Sequence, residues 1–218
     1  RIDVYQETDA ERVQWAASVC ALVDERQLVE NEDSTYTLLA YEFTQFGLPA
    51  CDDEPFGDQP TAAFCSGFMV GYDLIATAGH CIDGFNLDTT RFVFGFVMAD
   101  ETTPVLVFDR SQVYQGVEIL DWALGADLDH AVIRVDRPIS APGAGPLPIR
   151  REGEIEEGTP VGAIGHPSGL PMKLAFGDET RVLENDEDDP YFIYNADVYG
   201  GNSGSPVFNA ETGDVEGI

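Results

Sequence analysis

The strongest constraint on this chain is the shortness of its apolar runs. From about residue 60 onward they recur between Gly, Pro, Asp and Asn breakers. They are Phe68-Met69-Val70, Phe92 to Ala99, Val105 to Phe108, Ala131 to Val135, Val161 to Ile164, Lys173 to Phe176, Tyr191 to Tyr194 and Pro206-Val207-Phe208. Many short strands with few helical periods predict an all-β sandwich or barrel, not alternating βαβ units. Upstream, Ser18 to Val23 reads as a first strand and Tyr36 to Tyr41 as another. Before them Thr8-x-x-Glu11 has the form of a capping box, opening a short helix through Trp15 and Ala17. The Pro/Gly-rich stretch Pro138 to Pro146 divides the strands into two groups and reads as a linker. The expected organisation is an N-terminal extension (1–17), a first β domain (18–137), a linker (138–147) and a second β domain (148–218).

Composition narrows the partners. With 11 Lys+Arg against 40 Asp+Glu, the net charge is −29. Such a surface repels phosphates and offers no basic stripe, so nucleic acid is excluded as a partner. The longest clearly apolar stretch, Phe92 to Ala99, is far short of the ~20 residues a spanning helix needs, so no membrane span is expected. Lys173 is the only lysine, and so acidic a surface is compatible with saline surroundings. The four cysteines, Cys20, Cys51, Cys65 and Cys81, show no C-x-x-C pair and no zinc-finger spacing. An even count without metal spacing favours disulfides and hence an oxidising compartment, secreted or periplasmic. No signal peptide is visible and Arg1 is not a methionine, so a targeting segment is expected to have been removed or omitted.

Three local sequences carry chemistry. In Thr77-Ala78-Gly79-His80-Cys81 a histidine sits beside a cysteine, with Cys65 one hairpin upstream. A Cys65–Cys81 disulfide would hold the imidazole rigidly, as a general base requires; a lone buried histidine is otherwise more often structural. In Asp127-Leu128-Asp129-His130-Ala131-Val132-Ile133, an aspartate stands at the mouth of an apolar strand. A carboxylate there can fix the tautomer of an imidazole, although an isolated aspartate is usually a strand cap. In Gly200-Gly201-Asn202-Ser203-Gly204-Ser205-Pro206, glycines flank a serine and allow a sharp backbone turn. The N–H groups of Gly201 and Ser203 can then converge on one point as an oxyanion hole; read alone, the stretch is also an ordinary Gly/Ser loop.

Taken together, these segments resemble the chymotrypsin-like, trypsin-fold serine endopeptidases. Thr77 to Cys81 matches the family's histidine box, Asp129 with Ala131-Val132-Ile133 its aspartate box, and Gly201 to Pro206 its serine box in the form of bacterial glutamyl-endopeptidase-like members. The order His, Asp, Ser also matches, and the resemblance runs over roughly 59–218. It implies an all-β chain of two six-stranded antiparallel β-barrels, the second incomplete here. The implied catalytic residues are His80, Asp129 and Ser203, with substrate between the barrels and no cofactor or metal. Rival orders fail. In α/β-hydrolases the histidine follows the serine, but His80, His130 and His166 all precede Ser203, and no Gly-x-Ser-x-Gly or His-Glu-x-x-His occurs.

Departures and lesser candidates complete the reading. Asn202 stands where mammalian-type members carry the aspartate that receives a new N-terminus, and Arg1-Ile2-Asp3 does not continue the usual activation pattern. Ile218 follows Ser203 closely, where the family adds further strands, so the chain is expected to be a piece of a longer one. His130 should point away from Asp129's face, His166 belongs to a turn, and Asp127 is the rival to Asp129. The acidic run Glu184 to Asp189 reads as a solvated loop. Asp197, Val198, Tyr199 and Gly200 are expected to bind substrate. Asp197 lies where trypsin-like members place the pocket-floor aspartate, yet Asp-x-Tyr-Gly-Gly also resembles glutamyl endopeptidases. Charge steering tilts the expectation towards cleavage after Arg or Lys. Cys65–Cys81 is the expected disulfide, and Cys20–Cys51 follows by elimination. The function expected is a serine endopeptidase acting on protein or peptide substrates; the alternative is a non-catalytic protease-homologue binding module.

Overall fold

A computed structural model describes the whole chain except residues 46, 47, 50, 52, 85, 126, 127, 187 and 188, with backbone only at 45, 48 and 49. Six antiparallel strands close into a barrel in the order Leu74–Thr77, Asp129–Val135, Val113–Leu124, Thr90–Phe94, Val19–Asp24, Cys65–Gly71 and back to the first. Closure leaves no unpaired edge, which short strands otherwise expose. Alternation along each strand decides what it buries. From Val19–Asp24, Cys20 and Leu22 enter the barrel with Met69, Ile75, Phe92, Phe94, Tyr114 and Ile133. Ala21 and Val23 face outward onto a second cluster with Leu38, Phe96, Phe108 and Val113. This strand is therefore buried on both faces. The predicted run Phe92 to Ala99 is cut short because Gly95, at φ +86°, turns the chain out of the strand.

The C-terminal half is an open five-stranded sheet in the order Ile2–Asp3, Lys173–Ala175, Val161–Gly165, Val207–Asn209, Val215–Gly217, with Val182–Asn185 and Phe192–Tyr194 paired as a separate hairpin. Among the described residues this sheet stays open, with Ile2–Asp3 and Val215–Gly217 as its opposite edges, in keeping with a second barrel that is incomplete in this chain. Residues 138–147 form no strand. Ile139 and Ala141 pack into the barrel core and Leu147 into that of the sheet, so the segment runs from one core to the other.

The N-terminal extension carries the expected short helix and packs on the sheet. Within residues 1–17, Ile2 and Asp3 pair with Leu174 and Lys173. Helix Ala10–Ala16 docks on the same sheet through Trp15, stacked on Phe208 at 5.0 Å. Its cap is Asp9, not Thr8, because the Asp9 carboxylate accepts from the N–H groups of Glu11 and Arg12. Lys173 is buried, and its Nζ donates to Asp3 Oδ1 at 2.6 Å, Gln59 Oε1 at 2.7 Å and the Pro171 carbonyl at 2.8 Å. Burial pushes its pKa down to about 8, against the hydrogen bond and charge of Asp3. All three ammonium protons are used, which is what a buried cation needs.

Of the two expected disulfides, one forms. Cys65 and Cys81 are bridged across 6.2 Å between Cα atoms, closing a loop worth roughly 3 kcal/mol in the chain-entropy model. Cys20–Cys51 does not form. Cys20 is a free thiol sealed in the barrel interior, where burial raises its pKa, and Cys51 is free and exposed on the surface.

Candidate active site

The histidine comes from a short 3-10 turn, Gly79–Cys81, directly after strand Leu74–Thr77. Position 79 must be glycine: a Cβ there would lie 2.1 Å from the Ala123 carbonyl oxygen. The turn is anchored at Cys81 by the bridge to Cys65. His80 itself is clamped by both oxygens of one carboxylate. Its Nδ1 lies 2.6 Å from Asp129 Oδ2, and its backbone N–H donates to Asp129 Oδ1 at 2.9 Å. Burial acts to raise the Asp129 pKa, but hydrogen bonds from the His80 ring and from the His80 and Gly79 backbone outweigh it, leaving the carboxyl below its usual range. An ionised Asp129 fixes the proton of a neutral imidazole on Nδ1 and leaves Nε2 with a lone pair. His130, the next residue on the strand, pairs instead with Asp121, Nε2 to Oδ2 at 3.1 Å. The rival Asp127 lies outside the described residues.

The serine loop is held through its backbone. Gly201 and Gly204 have φ of +95° and +83°, conformations open to glycine without strain. A Cβ on Gly204 would meet the Ser66 carbonyl at 2.2 Å and Thr77 Oγ1 at 2.3 Å, so the loop sits hard against the strands that lead to His80. The Ser203 carbonyl accepts from the Ser66 N–H at 2.8 Å and touches Cys81 Sγ at 3.7 Å. Ser66 Oγ donates to the Gly201 carbonyl at 2.9 Å and accepts from the His166 N–H at 2.9 Å. The Ser203 hydroxyl makes no hydrogen bond among the described residues, so the structure joins His80 to Asp129 but does not hydrogen-bond Ser203 Oγ to His80. Such contacts are often loose before substrate binds.

Two backbone N–H groups stand ready beside the serine. Neither Gly201 N–H nor Ser203 N–H donates to an acceptor among the described residues. The Gly200 carbonyl is fixed by the Ser168 N–H at 2.5 Å. In a trans peptide the N–H points opposite to the carbonyl, so Gly201 N–H is turned away from the 166–169 turn. That turn is tight: Ser168 adopts φ +54°, and a Cβ on Gly201 would lie 2.6 Å from the His166 carbonyl. Ser66 and Ser168 escaped sequence reasoning. Ser66 is one serine in an apolar strand, and Ser168 acts through its backbone, which no residue type encodes.

The remaining candidates are placed as follows. Asn202 is uncharged and turned inward, its Oδ1 accepting from Ser205 Oγ at 3.2 Å. The Asp197 side chain is 52% exposed in residues 1–218, and it pairs with Arg1 at 3.4 Å. The Arg1 guanidinium lies 4.1 Å over the Tyr199 ring and 5.5 Å from that of Phe56. His166 is wholly buried, stacked on Phe96 at 5.7 Å with Nδ1 at 3.0 Å from the Leu170 carbonyl, and burial pushes its pKa down to about 4. It is neutral and structural. Cys65, His80 and Cys81 are the one grouping of metal-ligand type among the described residues, but both sulfurs are spent in the disulfide and no thiolate is available.

Comparison with known proteins bears on the fold and the family. No curated protein matches the chain. Among solved structures the chain is similar to human heparin binding protein, with 13% identity over 94% of this chain and 79% of that one at a TM-score of 0.59. It is also similar to Rv3671c from M. tuberculosis H37Rv in an inactive, serine-to-alanine form, with 16% identity over 97% and 78% at 0.53. A third, the serine endoprotease from Yersinia pestis, has 17% identity over 94% and 54% at 0.52. These likenesses show the fold. The trypsin-like peptidase domain model matches residues 65–218, a span that takes in His80, Asp129 and Ser203, and the chain belongs to that family.

Proposed function

We propose that the protein is a serine endopeptidase in which His80 is the general base, Asp129 its orienting carboxylate and Ser203 the nucleophile. The observation that carries this reading is the two-oxygen clamp of Asp129 on His80, set beside a serine loop fastened to the same disulfide-linked strands. Ser203 Oγ attacks the scissile carbonyl while its proton passes to His80 Nε2. The imidazolium is stabilised by Asp129, which stays ionised. The oxyanion of the tetrahedral intermediate accepts from Gly201 N–H and Ser203 N–H. His80 then gives its proton to the leaving amine, an acyl-enzyme remains on Ser203, and water, activated by His80, releases the acid. Every step uses groups of this chain and no cofactor.

The finer readings rest on the same site. The serine box favours the glutamyl-endopeptidase-like branch. The Cys65–Cys81 bridge supports an oxidising compartment, secreted or periplasmic. The test is covalent labelling of the full-length protein with a fluorophosphonate. Modification at Ser203, lost in Ser203→Ala, supports the endopeptidase; no labelling and no peptide hydrolysis would leave the non-catalytic binding module as the better reading.

A further inference from the structure

We propose that Trp122 is a positioning residue for the general base, fastening the turn that carries His80 to the strand paired with that of Asp129. The inference rests on the reading of His80 as catalytic.

The geometry is specific. The Trp122 indole N–H is shared between two backbone carbonyls, Gly79 O at 2.9 Å and Ile82 O at 2.8 Å. These carbonyls bracket the histidine: Gly79 opens the 3-10 turn and Ile82 follows it. Trp122 lies on the long strand Val113–Leu124, where it is the register partner of Ala131 and Leu124 that of Asp129. The same strand presses its Ala123 carbonyl against Gly79. One indole therefore joins the His80 turn to the ribbon that carries Asp129. The disulfide fixes the turn at Cys81 on its other side.

Position 122 is a poor place for a tryptophan on packing grounds alone. The side chain is 44% exposed, with Val117, Leu120 and Leu124 of the same strand also exposed. Its polar atom, by contrast, is committed to two acceptors. Gly79 and Ile82 are both buried, so the carbonyls that the indole caps have little access to water once it is gone.

The test compares Trp122→Phe, which keeps a ring and loses the N–H, with wild type and with Trp15→Phe, whose indole stacks on Phe208 of the five-stranded sheet. Rates are normalised to sites titrated with a fluorophosphonate, so a fall in folded fraction does not count. A misplacement of about 1 Å at the base costs on the order of 100-fold in rate. The expected result for Trp122→Phe is a fall in kcat of about 10- to 100-fold, with KM within about twofold. The low-field NMR signal of the His80 Nδ1 proton should be lost, and Trp15→Phe should keep wild-type kcat. A wild-type kcat in Trp122→Phe overturns the proposal, as does a loss confined to KM. Should Trp122→Phe fail to fold, the indole of Trp122 in Trp15→Phe decides. Slow hydrogen exchange of its N–H despite the exposed ring supports the anchor, and exchange at the solvent rate overturns it. A wild-type protein that neither labels nor turns over fails the endopeptidase reading itself, a result distinct from an active wild type with an equally active Trp122→Phe.

Discussion

The two halves of the candidate site are held in place by different means. His80 and Asp129 belong to the closed barrel and are bonded side chain to side chain and side chain to backbone. Ser203 lies on a half-buried glycine-rich loop whose bonds to the rest of the molecule run through backbone atoms and Ser66 Oγ. A pair clamped by two hydrogen bonds at the barrel rim keeps its geometry without a substrate. A loop held by peptide carbonyls keeps its N–H groups aimed only while each peptide plane stays put. The base and its carboxylate are therefore built rigid, and the nucleophile and oxyanion donors are built adjustable.

The most drastic way to break the comparison is to remove the reacting groups. Ser203→Ala and His80→Ala should each lower kcat by about 10⁴-fold or more, and the double variant should be scarcely worse, because the two act as one unit. Steady-state kinetics with active-site titration reads this. Additive losses would mean that the two residues act in separate steps.

A sharper contrast comes from one glycine in each half. In Gly201→Ala the new Cβ meets the His166 carbonyl at 2.6 Å and must hold φ near +95°, so the peptide rotates and an oxyanion donor is lost. The expected cost is about 10²–10³ in kcat, accompanied by a lower thermal midpoint, since the Cβ meets backbone and φ is strained. In Gly79→Ala the Cβ meets the Ala123 carbonyl at 2.1 Å, backbone against backbone in the barrel wall. Its cost should appear in stability, with a lower thermal midpoint. Equal effects of the two on kcat would erase the distinction between a rigid and an adjustable half.

Much of the rigid half was legible in the sequence and much of its surroundings was not, for a physical reason. The barrel strands follow from local alternation, and the three boxes are local motifs, with glycines in the histidine and serine boxes marking tight backbone approaches. Contacts between distant segments leave no local trace. Asp3 and Lys173 lie 170 residues apart, and nothing in a single sequence pairs the only lysine with that aspartate. The same holds for Ile2–Asp3 as a sheet edge and for Ser66 bridging Gly201 and His166. The elimination that paired Cys20 with Cys51 failed because an even count says nothing of burial. Cys20 faces the barrel interior and Cys51 the solvent.

His166 tests how the adjustable half responds to acid, because its N–H is bonded to Ser66 and its carbonyl backs Gly201. Its pKa is about 4 in the folded protein against 6.5 for a free histidine, so the unfolded chain binds the extra proton more tightly. Stability should therefore fall as pH is lowered from about 6.5 to 4, by roughly 3 kcal/mol from this group. Asp129 adds a loss of the same sign as pH falls below the ordinary carboxylate range. Urea titrations across this window should show a slope that flattens in His166→Phe, which can keep the stack on Phe96. An unchanged slope would assign the acid sensitivity elsewhere.

The smallest effect expected is at Asp197, and its smallness is the point. A carboxylate at the floor of a closed pocket, paired with a substrate cation, costs about 3–5 kcal/mol when one partner is removed, which is at least 100-fold in kcat/KM for that substrate. Within residues 1–218 Asp197 has a different partner. Its carboxylate is 52% exposed and already faces Arg1, whose side chain is only 6% exposed between the Tyr199 and Phe56 rings. An exposed ion pair contributes about 0–1 kcal/mol. Asp197→Asn should accordingly change the ratio of cleavage after Arg to cleavage after Glu by no more than about fivefold, measured with a panel of chromogenic peptides on the full-length protein. A drop of 100-fold confined to Arg and Lys substrates would mean that Arg1 yields its place to substrate and that Asp197 reads charge after all. A small, uniform change would place the choice of side chain on residues other than Asp197.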